Sequence, residues 1–251
     1  MDKRIGAQYY TIRDFCQSID DFELSCKKIS DIGYKLVQLS GIGNFKAGEI
    51  KPILDKYGLE VVCTHRPPVN YLDNLEDEIA FHKIIGAKIC GIGSMPEFNA
   101  KPETIESFAQ NFGPVADKLA EYDLIFAYHN HAFEFEKIDG KYAFDIIAQK
   151  NSNFKFIIDV YWLAVAGINP AKFIRKYAGN IACVHFKDLK IKDNTPCYAE
   201  VGQGNLEWDE IISACKEVGV EYALVEQDIC DGDPFDSLKM SYDYLKKKGF
   251  C

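Results

Sequence analysis

The sequence predicts a closed (β/α)8 barrel, an α/β fold in a single domain spanning residues 1–251. Three observations lead there. Eight short apolar runs alternate with eight amphipathic patterns, which is the signature of repeated βαβ units. No linker or low-complexity stretch interrupts them. Polar residues of catalytic type collect at the carboxyl ends of the apolar runs, the end at which such barrels carry out their chemistry. An open doubly wound sheet would leave two parallel edges to protect, and no GxGxxG follows the first run to support a dinucleotide site.

The elements follow in order. RIGAQYY (4–10) is the first strand, and its helix covers roughly 20–32 before Gly33. YKLVQLS (34–40) precedes a helix from about Ala47 to Tyr57, with Gly58 as C-terminal cap. LEVVCTH (59–65) ends at Arg66-Pro67-Pro68, which cannot continue a ladder, and a helix around 74–85 ends at Gly86. KICGIG (88–93) is followed by a long helix opened by Pro102 and reaching about Glu121. LIFAYHNH (124–131) leads into a short hairpin turning at Asp139-Gly140, then a helix around 142–150. FKFIID (154–159) precedes a helix opened by Pro170 and ending near Tyr177. IACVHFKD (181–188) runs into a polar stretch, 189–206, read as a loop, before a helix from Trp208 to about Val218. YALVEQD (222–228) and a last helix over roughly 234–248 complete the set.

Composition narrows the function. The net charge of −9 comes with Lys and Arg spread along the chain in no run longer than three, so neither nucleic acid nor an anionic membrane is an expected partner. No run approaches the length of a membrane span, and the chain reads as soluble and cytoplasmic. The nine cysteines include no CxxC pair, and three of them (Cys63, Cys90, Cys183) fall in core strands. They read as buried thiols rather than a disulfide framework.

His129, Asp159, His185 and Glu226 each close a separate apolar run. Burying such groups at the end of a core strand is costly unless something pairs with them. One divalent ion, Mn²⁺ or Zn²⁺ for a mixed imidazole and carboxylate set, is the simplest partner. Side-chain alternation puts His131 on the face of His129, Lys187 on that of His185, and Asp228 on that of Glu226. Gln8, Gln38, His65 and Glu134 complete the polar mouth by the same rule.

The phrases HNHAFEF, DVYWLAVAGINP, VHFKD, EVGQGNLEW and LVEQD resemble the xylose isomerase-like barrel superfamily, in its sugar phosphate isomerase/epimerase branch. The resemblance runs in order from about residue 4 to 248. It implies a metal-dependent isomerase or epimerase that acts through an enediolate on a small keto-sugar or polyol-like carbohydrate, a substrate read here as unphosphorylated. Asp159, His185 and Glu226 match the family's metal ligands. Where the family usually reads Glu-Asn-His, this chain has His129-Asn130-His131, so His129 or Glu134 is the fourth ligand. Glu226, Glu134, His131 and Lys187 are the candidate proton-transfer groups. His65, Gln38, Trp162, Arg66 and Gln8 are the candidate substrate-binding residues, Arg66 being the lone candidate for a phosphate. Trp162 stands where ketose 3-epimerases carry a substrate-binding His. The missing strand-five glutamate also suits a dehydratase or lyase of the inosose dehydratase type. A degraded barrel that only binds sugar is the third reading, and the family's assemblies are compatible with a homodimer.

Overall fold

The computed structural model describes residues 1–251. Its eight long-range strands are β1 (Gly6–Gln8), β2 (Leu36–Ser40), β3 (Glu60–His65), β4 (Ile89–Ile92), β5 (Ile125–His129), β6 (Lys155–Asp159), β7 (Ile181–Phe186) and β8 (Tyr222–Val225). All neighbours pair in parallel and in chain order, and β1 pairs back onto β8 through Gly6 opposite Leu224. The barrel is closed, and it is the single domain that the alternating pattern predicts.

Closure sorts the apolar residues into two layers. Leu36, Cys63, Ile89, Ala127, Ile157, Cys183 and Leu224 fill the interior as one small cluster. The opposite faces of the strands pack against the helices in a much larger one, with Phe126, Tyr128, Phe156 and Phe186 on the strand side. Space inside is tight: a Cβ on Gly91 would sit 2.3 Å from the Thr64 carbonyl oxygen and 2.8 Å from Ile157. Glycine is therefore required at that point of β4.

The crossover helices are α1 (Ile19–Ile32), α2 (Ala47–Lys56), α3 (Leu75–Ile85), α4 (Pro102–Ala120), α5 (Ala143–Ala148), α6 (Pro170–Lys176), α7 (Trp208–Glu217) and α8 (Pro234–Lys247). Ser18 caps α1 by accepting from the Asp21 N–H, and Asn169 caps α6 through the Lys172 N–H. Pro102, Pro170 and Pro234 open their helices at positions where a missing N–H costs nothing.

Four local features differ from the sequence reading. β1 is three residues long, because Tyr9–Phe15 turns into 3-10 helix. Short helices also form at Pro68–Asp73 and Val160–Val165, directly after β3 and β6. The fourth difference matters most for the site. The stretch expected as a polar loop contains an antiparallel hairpin, Asp188–Lys192 paired with Thr195–Ala199, turning at Asp193 and Asn194 with φ of 51° and 59°. Consecutive positive φ values make the tight turn that matches strand twist, and Asp and Asn tolerate them. The smaller hairpin, Lys137-Ile138 with Lys141-Tyr142, turns at Asp139-Gly140 as expected.

Asp188 holds this corner together. Its buried carboxylate accepts from the backbone N–H groups of Leu189, Gly202, Gly204 and Leu206, and from Trp208 Nε1 at 2.6 Å. The VGQGN segment wraps so closely that a Cβ on Gly204 would meet Asp188 Oδ1 at 2.3 Å. Hydrogen bonds to a charged acceptor contribute about 1.5–3 kcal/mol each, and these five act together. Asp188→Ala should therefore lower the unfolding free energy by about 3 kcal/mol or more in urea titrations. A loss under about 1 kcal/mol would show that Asp188 does not anchor the corner.

Candidate metal centre

The strand ends meet at the carboxyl mouth of the barrel, around a cavity of about 500 Å³ whose wall includes His65, His129, His131, Lys187, Glu226 and Asp228. His129, Asp159, His185 and Glu226 each place one ligand-type atom within 4.8 Å of all the others, and all four residues are buried. These are the four residues singled out at the ends of the apolar runs.

Each of them has its outer polar atom tied down. His129 Nδ1 lies 3.1 Å from the Gly93 carbonyl oxygen, and His185 Nε2 lies 2.7 Å from Gln38 Oε1. Both partners only accept, so both nitrogens carry hydrogen. Asp159 Oδ1 accepts from the Tyr161 and Trp162 N–H groups at 2.8 and 3.2 Å, at the start of the short helix that follows β6. Glu226 Oε1 accepts from Gln8 Nε2 at 2.9 Å, while Gln8 Oε1 accepts from the Tyr10 N–H at 2.7 Å.

The inner atoms then face one another. His129 Nε2 is 3.2 Å from Asp159 Oδ2, and His185 Nδ1 is 2.9 Å from Glu226 Oε2 and 3.9 Å from Asp159 Oδ2. Hydrogen-bond geometry leaves His185 Nδ1 without a partner despite its burial. Lone pairs of imidazole nitrogens and carboxylates cannot pack together unaided, so positive charge must lie between them. Two imidazoles and two carboxylates suit Mn²⁺ or Zn²⁺, and the residues present fit such an ion.

One positive charge is already built in. Lys187, fully buried, reaches Asp228 Oδ1 at 2.7 Å, Asp159 Oδ2 at 3.3 Å and Glu226 Oε2 at 3.4 Å. The rings of Tyr198, Trp162 and Tyr161 surround its ammonium at 5.2, 5.4 and 5.7 Å. Burial alone would lower the lysine pKa, but Asp159, Glu226 and Asp228 outweigh it and hold the group well above its ordinary value. Burial pushes both Asp159 and Glu226 upward. The Lys187 charge, with His129 at Asp159 and His185 at Glu226, reverses this and leaves both carboxyls below their usual range. Asp228 is raised, first by burial and then by the charge on Glu226.

The remaining expected residues divide. His65 and His131 stand on the cavity wall, and each has a buried ring nitrogen without a partner, Nε2 and Nδ1 respectively. Burial, then the neighbouring His129, lowers both, His131 to about 3, so both are neutral imidazoles. Gln8 and Gln38 lie behind the ligands they orient rather than on the cavity wall, and Gln38 Nε2 is left free. Trp162 sits behind His131, with ring centroids 5.3 Å apart and a buried, unpartnered Nε1. Arg66 turns away: Nε and Nη2 bind the Glu78 carboxylate at 3.0 and 2.9 Å, and the guanidinium stacks on Phe81. That pairing leaves it badly placed for an anionic group on a substrate at the mouth.

Glu134 also departs from expectation. It is buried on the helix side of β5, accepting from the Tyr128 hydroxyl at 2.5 Å and from the His131 N–H at 2.8 Å. It is absent from both the cavity wall and the donor cluster, which leaves His129 as the fourth donor. The fold adds groups the sequence reading did not use: the Gly93 carbonyl, the Asn130 side chain that accepts from the Asp159 N–H at 3.0 Å, and Tyr198 from the hairpin. Alternation along β5 hints at Asn130, but nothing in the sequence marks Tyr198.

Residues 26–248 match the xylose isomerase-like TIM barrel family, and the chain belongs to it. Among solved structures it is similar to a sugar phosphate isomerase/epimerase from Parabacteroides distasonis, at 18% identity and a TM-score of 0.81 over 98% of this chain and 94% of that one. An L-ribulose 3-epimerase is similar at 14% identity and 0.75, covering 99% and 97%. A probable 3-DHS dehydratase from Bacillus anthracis is similar at 13% and 0.74, covering 97% and 98%. At these identities the likeness establishes the fold. No curated protein sequence matches the chain.

Burial raises the Glu134 carboxyl to about 7, against an unfolded value of 4.5. A raised carboxyl contributes stability that is complete below the unfolded value and is lost as pH climbs through the folded one. Glu134→Gln removes that loss, so the variant should gain on the wild type between about pH 4.5 and 7. The gain should reach about 3 kcal/mol, since every tenfold difference in proton affinity between the folded and unfolded chain is worth about 1.4 kcal/mol. Urea titrations across this range check it, and a constant difference between the two proteins would refute it.

Proposed function

We propose that the protein is a metal-dependent sugar isomerase that moves a proton next to the carbonyl of a small, uncharged keto-sugar or polyol-like carbohydrate. The observation that carries this reading is the donor cluster of His129, Asp159, His185 and Glu226, whose inner atoms converge while every outer atom is held. His129, Asp159, His185 and Glu226 would hold one Mn²⁺ or Zn²⁺. A divalent ion bound there supplies the positive charge that polarises a carbonyl oxygen.

The chain's own residues divide the remaining work. Glu226 is ionised, stands on the cavity wall, and is oriented by Gln8, so it is the base that accepts the proton from carbon. Lys187 is the protonated group beside it and donates to a substrate oxygen. His65 and His131 are uncharged and do not act as imidazolium acids, and their free ring nitrogens bind hydroxyls. Glu134, expected as a proton-transfer group, faces away and takes no part in this step.

A single base suits transfer between adjacent carbons on one face better than epimerisation, which needs a group on each face of the same carbon. The substrate is uncharged because the cavity wall has no arginine and its one lysine is enclosed by three carboxylates. Elimination of water is the second reading, since Glu226 and Lys187 form a base and acid pair of different chemical type.

Elemental analysis of protein purified without chelators tests the centre. Roughly one Mn or Zn per chain is expected, lost in Asp159→Ala/His185→Ala. Ketoses incubated with that protein in D₂O should show exchange at the carbon beside the carbonyl without loss of water. Water loss and an unsaturated product would move the assignment to a lyase. Failure to take up added Mn²⁺ or Zn²⁺ would end both readings.

A further inference from the structure

Lys187 and the proposed metal ion address the same atoms. The donor cluster uses one inner oxygen each from Asp159 and Glu226, and the lysine ammonium lies 3.3 and 3.4 Å from those oxygens, Oδ2 and Oε2. A dication and an ammonium sharing two oxygens at that range repel strongly in a buried site. The ammonium has one other partner, Asp228 Oδ1 at 2.7 Å, and three aromatic rings on which a cation can rest. Counting charges, Asp159, Glu226 and Asp228 carry −3 and Lys187 +1, which leaves −2, the charge that one divalent ion cancels.

We infer that Asp228 is a positioning residue for Lys187: when metal takes Asp159 and Glu226, the ammonium withdraws onto Asp228 and the Tyr161, Trp162 and Tyr198 rings. The inference rests on the metal centre proposed above and adds a role for Asp228 that the centre itself does not require. Without metal, Lys187 is the internal counter-ion that makes two buried carboxylates tolerable. With metal, its ammonium stays on the cavity wall, beside Asp228, where it can meet a substrate oxygen.

Calorimetric titration with Mn²⁺ of chelator-stripped wild type, Lys187→Met, Asp228→Asn and the double variant tests the assignment. Lys187→Met should bind Mn²⁺ on the order of tenfold tighter, because a competing cation is gone. Asp228→Asn should bind on the order of tenfold weaker, because the ammonium loses its resting place. In the Lys187→Met background the Asp228→Asn effect should largely disappear, the mark of coupling between the two. An equal weakening in both backgrounds would make Asp228 a plain charge effect and overturn the inference, as would unchanged Mn²⁺ affinity in Lys187→Met. If Lys187→Met does not fold, Asp228→Asn alone decides: undiminished Mn²⁺ affinity overturns the positioning role. Absence of Mn²⁺ binding in every protein overturns the metal centre and this inference with it.

Discussion

Three carboxylates at the mouth of one barrel, two of them buried and the third half-buried, set the terms for everything near them. Asp159, Glu226 and Asp228 lie within reach of a single ammonium, and that ammonium is itself fully enclosed. Isolated buried charges cost far more than a fold can supply, so the group survives only as a compensated set. Parallel closure is what assembles it. β5, β6, β7 and β8 each deliver one ligand at the carboxyl end, and alternation along and just beyond β7 aims His185 and Lys187 at the same point. A slip of one residue in β6 or β8 would turn Asp159 or Glu226 into the helix layer and leave the lysine without its partners.

The second requirement is orientation, and the fold meets it with neutral groups. Gly93, Gln38, Gln8 and the first turn after β6 each bind one outer atom and leave the inner atom aimed at the centre. Using amides and a carbonyl instead of further carboxylates matters for the charge balance. A carboxylate at position 38 would hold His185 equally well but would bring a fourth negative charge to a site with one lysine.

Much of this was legible in the sequence, for reasons that also explain what was not. The barrel and the four clustered residues follow from local rules, since apolar runs mark strands and a polar residue at the end of one marks the mouth. His129, Asp159, His185 and Glu226 emerge from position alone. The errors have separate physical origins, and for Glu134 it is that strand-end position does not say which side of the backbone a following residue takes. Glu134 lies just beyond β5, where the 3-10 turn Phe133–Phe135 swings its carboxylate toward Tyr128 and away from the cavity. Arg66 meets Glu78, twelve residues on in the next helix, a pairing no periodicity reveals. The hairpin at Asp188–Ala199 escaped because its turn is Asp-Asn with no glycine and its strands carry Lys and Pro. Without it, Tyr198 has no reason to stand beside Lys187.

His129 is the departure that gives this site its character. Where a carboxylate would add a fourth negative charge, an imidazole tied to Gly93 adds a donor without charge. Lys187 and the proposed divalent ion together would match the three carboxylates and leave the cavity they face neutral. On the proposed reading, a neutral cavity walled by the neutral imidazoles of His65 and His131 would favour hydroxyl-rich uncharged molecules over a phosphate or a carboxylate. Had the fourth donor been a glutamate, the same lysine would leave the loaded site with net negative charge, which repels anionic substrates and gives neutral ones no electrostatic advantage. The imidazole therefore does more than substitute for a ligand. In the proposed mechanism it would set the charge that the bound molecule meets, with Glu226 the one carboxylate of the donor set on the cavity wall.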